Sequence, residues 1–328
     1  MKTIALEEHF LTEEIRRAWA ETPLDAAEDT RGFDRGDLES RLDDLTSSRI
    51  ALMDESGVDV QVLSVTTPGL NNIDPARSVA LARRTNDLLA ATIARSPERF
   101  QGFAVLPMPS PREAAAELER SVRELGLKGA MLHGRVGEKS LNHADFLPVF
   151  EVAAELRVPL YIHPQIPQRA VREIYYGGFN PQVDTAFATF GLGWHYECGI
   201  QFLRLALAGI FDRWPGLQII LGHWGEVVLF YTERLRALER VTKLQRPVVE
   251  CMRQNLYVTP SGMFNESCLE RSVEVLGCDR IMFSADYPYQ YRPGGGPRKF
   301  LEEIALTQEE KEKFAHGNWE RLCGAIVR

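Results

Sequence analysis

The chain contains seven histidines: His9, His133, His143, His163, His195, His223 and His316. Four of them, His9, His133, His163 and His223, stand at or just after the end of a short apolar run that reads as a β-strand. The first such run leaves through Glu7-x-His9. Residues two apart on a strand share a face, so a carboxylate and an imidazole point the same way, an arrangement suited to a metal. Tyr161-Ile162-His163-Pro164 ends another run in an imidazole. In Gly222-His223-Trp224-Gly225-Glu226 the carboxylate can bond the His223 ring, fix its tautomer and raise its basicity. In Phe283-Ser284-Ala285-Asp286-Tyr287-Pro288 an aspartate ends an apolar strand, where burial is costly unless the charge is paired or metal-bound. Each motif alone has a plain structural explanation: a solvated strand end, a satisfied core histidine, or a glycine-bounded turn with an acid at a helix N-terminus. Together they describe one cluster, provided the strands that carry them end side by side.

Eight strands are predicted near 3–6, 59–65, 102–106, 129–132, 159–162, 218–221, 255–258 and 280–284. Each is short, rich in aliphatic and aromatic residues, and bounded by Gly, Pro, Asn or Asp. LQIIL and RIMFS are apolar without alternation, as in strands of a parallel sheet buried on both faces. Helical patterns intervene at 38–56, 78–96, 111–125, 203–211, 226–240, 308–316 and 318–327. Ser110 before Pro111 reads as an N-cap, and Gly126 as a C-terminal stop. Eight strands alternating with helices give an α/β fold, a (β/α)8 TIM barrel or a doubly wound sheet; the count of eight favours the barrel, in one domain over residues 1–328. Two insertions, about 10–37 and 165–197, follow strands and therefore cap the C-terminal face of the barrel, where barrel enzymes build their sites. On such a barrel the four strand-end histidines converge on one mouth.

Length and composition agree with this. The 328 residues carry 38 Lys plus Arg against 46 Asp plus Glu, a net charge of −8, which argues against nucleic acid as a partner. The five cysteines are odd in number and form no CxxC pair, so neither a disulfide framework nor a thiolate zinc site is expected. No apolar stretch is long enough for a secretory signal or a membrane span, so a cytoplasmic protein without membrane association is expected.

The constellation resembles the amidohydrolase superfamily, whose metallo-barrels take ligands from these strand ends. ALEEHF, QVLSVTTPG, ARRTNDLLA, FAVLPMPSP, IFDRWPGLQIILGHWGE, YVTPSGMF, FSADYPY and HGNWERL look like its branch of nonoxidative aromatic acid decarboxylases. That branch includes the γ-resorcylate and 2,3-dihydroxybenzoate enzymes and, more distantly, aminocarboxymuconate semialdehyde decarboxylase. Glu-x-His in place of the commoner His-x-His points to the hydroxybenzoate side. The resemblance implies Glu7, His9, His163 and Asp286 as ligands of one divalent ion, zinc or manganese, with no organic cofactor. It implies Asp286, His223 and Glu226 as catalytic groups, and Arg234, on the helix expected after Glu226, as a substrate-carboxylate contact within or across a dimer. His133 stands where relatives tend to carry an asparagine, and is assigned with Arg234 to substrate binding. Trp194, Tyr289 and Phe10 are expected to wall the ring.

The implied reaction is decarboxylation of an ortho-hydroxylated aromatic acid, reversible at high bicarbonate, by a homodimer or homotetramer. A metal-dependent hydrolase or hydratase on the same barrel is the competing enzyme reading, and a silent binding barrel the non-enzyme one.

Overall fold

The structure is a computed structural model, which describes residues 1–23 and 36–328. The middle of the first expected insertion therefore lies outside the described residues. Strands β1 (Ile4–Phe10), β2 (Val60–Val65) and β3 (Phe100–Gly102) pair in parallel in that order. So do β4 (Ala104–Val105), β5 (Ala130–His133), β6 (Leu160–His163), β7 (Ile219–Leu221) and β8 (Leu256–Val258). β3 and β4 are two parts of the third predicted strand, interrupted at Phe103, whose amide donates to Leu63 O at 2.9 Å. Residues 281–283 close the ring: Met282 N donates to Val258 O at 2.9 Å, and Leu6 N to Phe283 O at 3.0 Å. The result is the expected (β/α)8 barrel, joined at its eighth position by single bonds rather than a ladder.

Two apolar layers hold it. Inside, Ile4, Leu6, Val60, Val62, Phe103, Met131, Tyr161, Ile220, Tyr257 and Met282 pack with Trp319 and Leu322 from the C-terminal helix. Outside, the alternate strand residues, such as Ala5, Phe10, Leu63, Val65 and Leu132, meet the helices. Alternation along each strand assigns a residue to one layer or the other.

β1 departs from that alternation once. Its register against β2 runs Ile4↔Val60 and Ala5↔Gln61, then Glu8↔Leu63, His9↔Ser64 and Phe10↔Val65, with a shift between Ala5 and Glu8. Three steps on β1 match two on β2, so one extra residue is inserted, a β-bulge. Inward parity switches there from Ile4 and Leu6 to Glu7 and His9. The lower barrel stays apolar while its mouth receives two polar groups from the same strand.

The second expected insertion has more regular structure than predicted. It contains Arg169–Val171, a π-helical turn at Arg172–Tyr176, Pro181–Ala186, a second π turn at Phe187–Gly191, and the start of the helix Gly193–Leu207. Asn180 caps the Pro181 helix by accepting from Gln182 N and Val183 N. Ser110 occupies the expected cap position, but its hydroxyl does not cap the Pro111–Arg123 helix. The long helix expected over 226–240 is not formed. Five consecutive residues, His223 to Val227, have positive φ between 44° and 83°. A short 3-10 turn at Val228–Tyr231 and the helix Thr232–Arg236 follow. Apolar periodicity matched a helix, but the chain here is wound left-handed around Glu226. Among the described residues no helix is long and apolar enough to cross a membrane.

Candidate active site

The four strand ends meet as the barrel requires. Glu7 is fully buried, and its Oε2 accepts from the hydroxyls of Tyr161 and Ser261. Its Oε1 has no hydrogen-bond partner and faces His163 Nε2 at 3.2 Å and His9 Nε2 at 4.0 Å. His9 Nε2 is likewise buried without a partner and lies 3.5 Å from Asp286 Oδ1. His163 Nδ1 lies 2.8 Å from Pro164 O. A carbonyl only accepts, so this contact puts the proton on Nδ1 and leaves the Nε2 lone pair facing Glu7. Four donor atoms, two of them buried orphans, thus converge from two strands, β1 and β6, and the segment after residue 283. Buried polar atoms without partners are costly, and a cation at their centre would satisfy both. The mixed nitrogen–oxygen set suits zinc or manganese equally.

The local electrostatics belong to a cluster that needs a positive charge. Burial alone would raise the Glu7 carboxyl, but the facing His163 and the charge of His223 hold it well below the usual range. Burial and then the Glu7 charge push Asp286 well above its ordinary value. Burial, reinforced by His163, keeps His9 neutral far below its ordinary value. Asp286 sits at φ 56°, a conformation disfavoured for L-residues, which directs its carboxyl toward the cluster. Gly222 makes room for Glu7: a Cβ there would lie 2.5 Å from Ser261 Oγ and 2.9 Å from Glu7 Oε2.

Beside this cluster stands a second one. Glu226, fully buried, accepts through Oε1 from His223 Nδ1 and through Oε2 from His195 Nδ1, both at 2.7 Å. Burial opposes charge on His223, but Glu226 outweighs it and raises the imidazole to about 10. Glu226 is held at about 2 by His223 and His195 against its burial. These atoms too are close enough together to hold an ion. Unlike the first cluster, it satisfies its own carboxylate and leaves no buried orphan.

Both clusters open on a cavity of about 330 Å³. His163, Asp286, His223 and Ser261 contribute its polar lining, and Phe190, Trp194 and Tyr289 its aromatic walls. No lysine or arginine lines it among the described residues. Tyr289 is held by a 2.7 Å bond between its hydroxyl and Thr66 Oγ1.

Three expected substrate contacts lie elsewhere. Phe10 is fully buried between strands and helices, because alternation from His9 turns it outward. His133 points into the barrel beside His163, but its Nε2 lies 3.1 Å from Val65 O and Gly69 roofs its ring. Burial and His163 lower its pKa to about 3. Arg234 is exposed on the Thr232–Arg236 helix and does not line the cavity of its own chain.

Other site residues escaped the sequence reading. His195 stands 31 positions from the carboxylate it bonds, with no spacing to announce it. Behind the ligands, fully buried Arg49 donates from Nε to Gln61 Oε1 and from Nη1 to His9 O. Gln61 Nε2 in turn donates to Glu8 Oε2 at 3.1 Å. Glu8 Oε1 accepts from Ala285 N at 2.8 Å, tying β1 to the residue before Asp286. Burial raises the Glu8 carboxyl to about 8. The doubled glutamate in ALEEHF was the available signal for this support.

Residues 13–324 match the family model described as amidohydrolase. A γ-resorcylate decarboxylase from a Polaromonas species is 35% identical over 97% of both chains. A 5-carboxyvanillate decarboxylase structure from Novosphingobium aromaticivorans, complexed with manganese and 4-hydroxy-3-methoxy-5-nitrobenzoic acid, superposes with a TM-score of 0.90. It is 31% identical over 98% of this chain and 96% of that one. A Polaromonas dihydroxybenzoic acid decarboxylase structure with manganese and the inhibitor 2-nitroresorcinol gives a TM-score of 0.85. It is 33% identical, over 98% and 97% of the two chains. A family match over nearly the whole length, together with these likenesses to metal-containing decarboxylases, places the chain in the amidohydrolase family.

Proposed function

We propose that this protein is a metal-dependent, nonoxidative decarboxylase of an aromatic acid carrying a hydroxyl ortho to its carboxylate. One observation carries the reading. Four metal-type donor atoms, two without any partner, lie beside an aromatic-walled cavity that also receives His223. Glu7, His9, His163 and Asp286 would hold the ion, manganese as in the neighbours or zinc. Bound there, a divalent cation supplies Lewis-acid chemistry, favouring an anionic carboxylate–phenolate pair at pH 7.

The chain's own groups do the rest. Trp194 and Tyr289 hold the ring flat between them. His223, with Nδ1 committed to Glu226, has Nε2 left for the substrate and carries positive charge to an anionic oxygen. Asp286 is placed to keep a proton and deliver it to the ring carbon that bears the carboxylate. The C–C electron pair then returns to the ring as carbon dioxide leaves, so no organic electron sink is required. The same path in reverse carboxylates a phenol at high bicarbonate.

Phe230 and Tyr231 on one segment, and Tyr196 and Ile200 on the cap helix, are exposed, with Tyr196 bonded to Tyr231. This apolar surface supports a homodimer in which Arg234, on the adjoining helix, acts toward the partner's cavity. Sedimentation of the purified protein tests this, and a monomer removes the cross-subunit role.

The deciding experiment incubates manganese- or zinc-loaded protein with salicylate, resorcylates and dihydroxybenzoates and measures carbon dioxide release. Release from at least one, lost on chelation and restored by metal, is expected. No release from any, with turnover of a lactone instead, replaces this reading with hydrolysis.

A further inference from the structure

The Glu226 carboxylate joins two histidines that look equivalent: each presents Nδ1 at 2.7 Å, and the ring centroids are 4.4 Å apart. They differ at their other nitrogen. His195 Nε2 receives the indole N–H of Trp194 at 3.1 Å. An indole nitrogen donates and never accepts, so His195 Nε2 must offer a lone pair. The His195 proton is then on Nδ1, where it donates to Glu226 Oε2, and the ring is neutral. Among the described residues, no such donor is fixed on His223 Nε2. We infer that Trp194 and His195 form a tautomer lock, carried on the cap, that confines proton exchange at Glu226 to His223.

His195 is by this reading a positioning residue acting through Glu226. Its neutral N–H occupies one carboxylate oxygen and leaves the other for His223. It also ties the cap helix Gly193–Leu207 to the barrel mouth, because Glu226 is buried between them. Gly199, one turn further along that helix, lets it approach: a Cβ there would lie 2.4 Å from Glu226 O. The cap thus bonds Glu226 through its side chain and packs against its backbone.

Two independent measurements test the lock. The first does not depend on the proposed reaction. In zinc-loaded protein with 15N-labelled histidine rings, His195 is expected to show a protonated Nδ1 and a bare Nε2 at neutral pH. H195N assigns the signals, and W194F is expected to release the ring into a mixture of tautomers. A His195 protonated on Nε2, or on both nitrogens, overturns the lock.

The second measurement is kinetic and rests on the decarboxylase reading, using whichever phenolic acid the wild type turns over. H195A is expected to lower kcat about 10- to 100-fold, the range typical when a partner that orients a functional imidazole is lost. KM should move less than about threefold, and metal should stay at one ion per chain. Asparagine can place an N–H near the position of Nδ1, so H195N should recover most of kcat. Equal loss in H195A and H195N, or unchanged kcat in both, overturns the positioning role. A second bound metal that disappears with H195A shows instead that His195, His223 and Glu226 form a metal site.

Discussion

Replacing Glu226 with glutamine removes one charge and keeps the shape. In the native protein His223 is raised from 6.5 to about 10, principally by Glu226 against its own burial. That rise corresponds to on the order of 5 kcal/mol of preference for the imidazolium. The sign follows from the direction. The charged His223 stabilises the fold fully below 6.5, and this contribution is lost as pH rises through about 10. Glu226, lowered to about 2, contributes above its ordinary 4.5 and loses that contribution as pH falls through about 2. In E226Q burial remains and the counter-charge is gone, so His223 falls to 6.5 or below. At pH 7 the charged fraction then drops about fourfold, but at pH 9 it drops about 300-fold. If the charged form binds the anionic substrate, kcat/KM of E226Q should fall by about these factors, with the alkaline limb moving from near pH 10 to below 7. Glutamine also has one acceptor and one donor where glutamate had two acceptors. With His195 fixed as a donor, the amide NH2 must face His223 Nδ1 and drive its proton to Nε2, which ring 15N shifts would show. Steady-state rates from pH 5 to 10 supply the kinetic test. A uniform loss at every pH, or an alkaline limb still near 10, refutes the claim that Glu226 sets the charge on His223.

The remaining expectations concern the metal cluster. His163→Ala should lose metal and activity together, whereas His223→Ala should retain metal and lose activity; equal metal loss in both would place His223 among the ligands. Gly222→Ala, whose Cβ would meet Ser261 Oγ and Glu7 Oε2, should weaken metal binding at least about tenfold and cost about 1–3 kcal/mol in urea unfolding. Unchanged affinity would show that Glu7 has freedom to move. Chelation should lower Tm by a few degrees, since an ion at 100 times its Kd stabilises by about 2.7 kcal/mol, and manganese should restore it. A Tm indifferent to both would mean that the orphaned atoms of Glu7 and His9 do not meet a cation.

The barrel and the convergence of Glu7, His9, His163 and Asp286 were legible because both are written locally. Apolar runs such as LQIIL are long enough to declare buried strands, and a polar residue ending such a run is conspicuous. Phe10 was misread although the sequence contained the correction: if His9 faces inward, its neighbour faces out. The 226–240 segment was misread for a different reason. Val227, Val228, Leu229 and Leu235 have helical spacing, but the chain from His223 to Val227 follows a left-handed path whose cause, the need to bring Glu226 inward, is tertiary. The partners of His195 and of Glu8 were hidden for the same reason, being distant in sequence, and only the doubled glutamate of ALEEHF marked the Arg49–Gln61–Glu8 support. His133 sits on the inward face as its strand demands, yet a loop glycine covers it, which strand periodicity does not describe.

The extra residue in β1 separates two duties that a regular strand would combine. Below it, Ile4 and Leu6 belong to the packing that keeps the barrel folded; above it, Glu7 and His9 face the mouth, where a metal ion is proposed. Only Leu6 and Glu7 lie between Ala5 and Glu8, so deleting one residue there removes either a floor side chain or an inward carboxylate. Either deletion restores a single parity along the strand, on which Ile4 and His9 face inward with only Leu6 or Glu7 between them. The placing of the Glu7–His9 pair above an apolar floor thus depends on strand length as well as on residue type. Deleting Leu6 is then expected to keep metal in a less stable barrel and deleting Glu7 to lose metal from a folded one, outcomes that metal analysis and urea unfolding would separate.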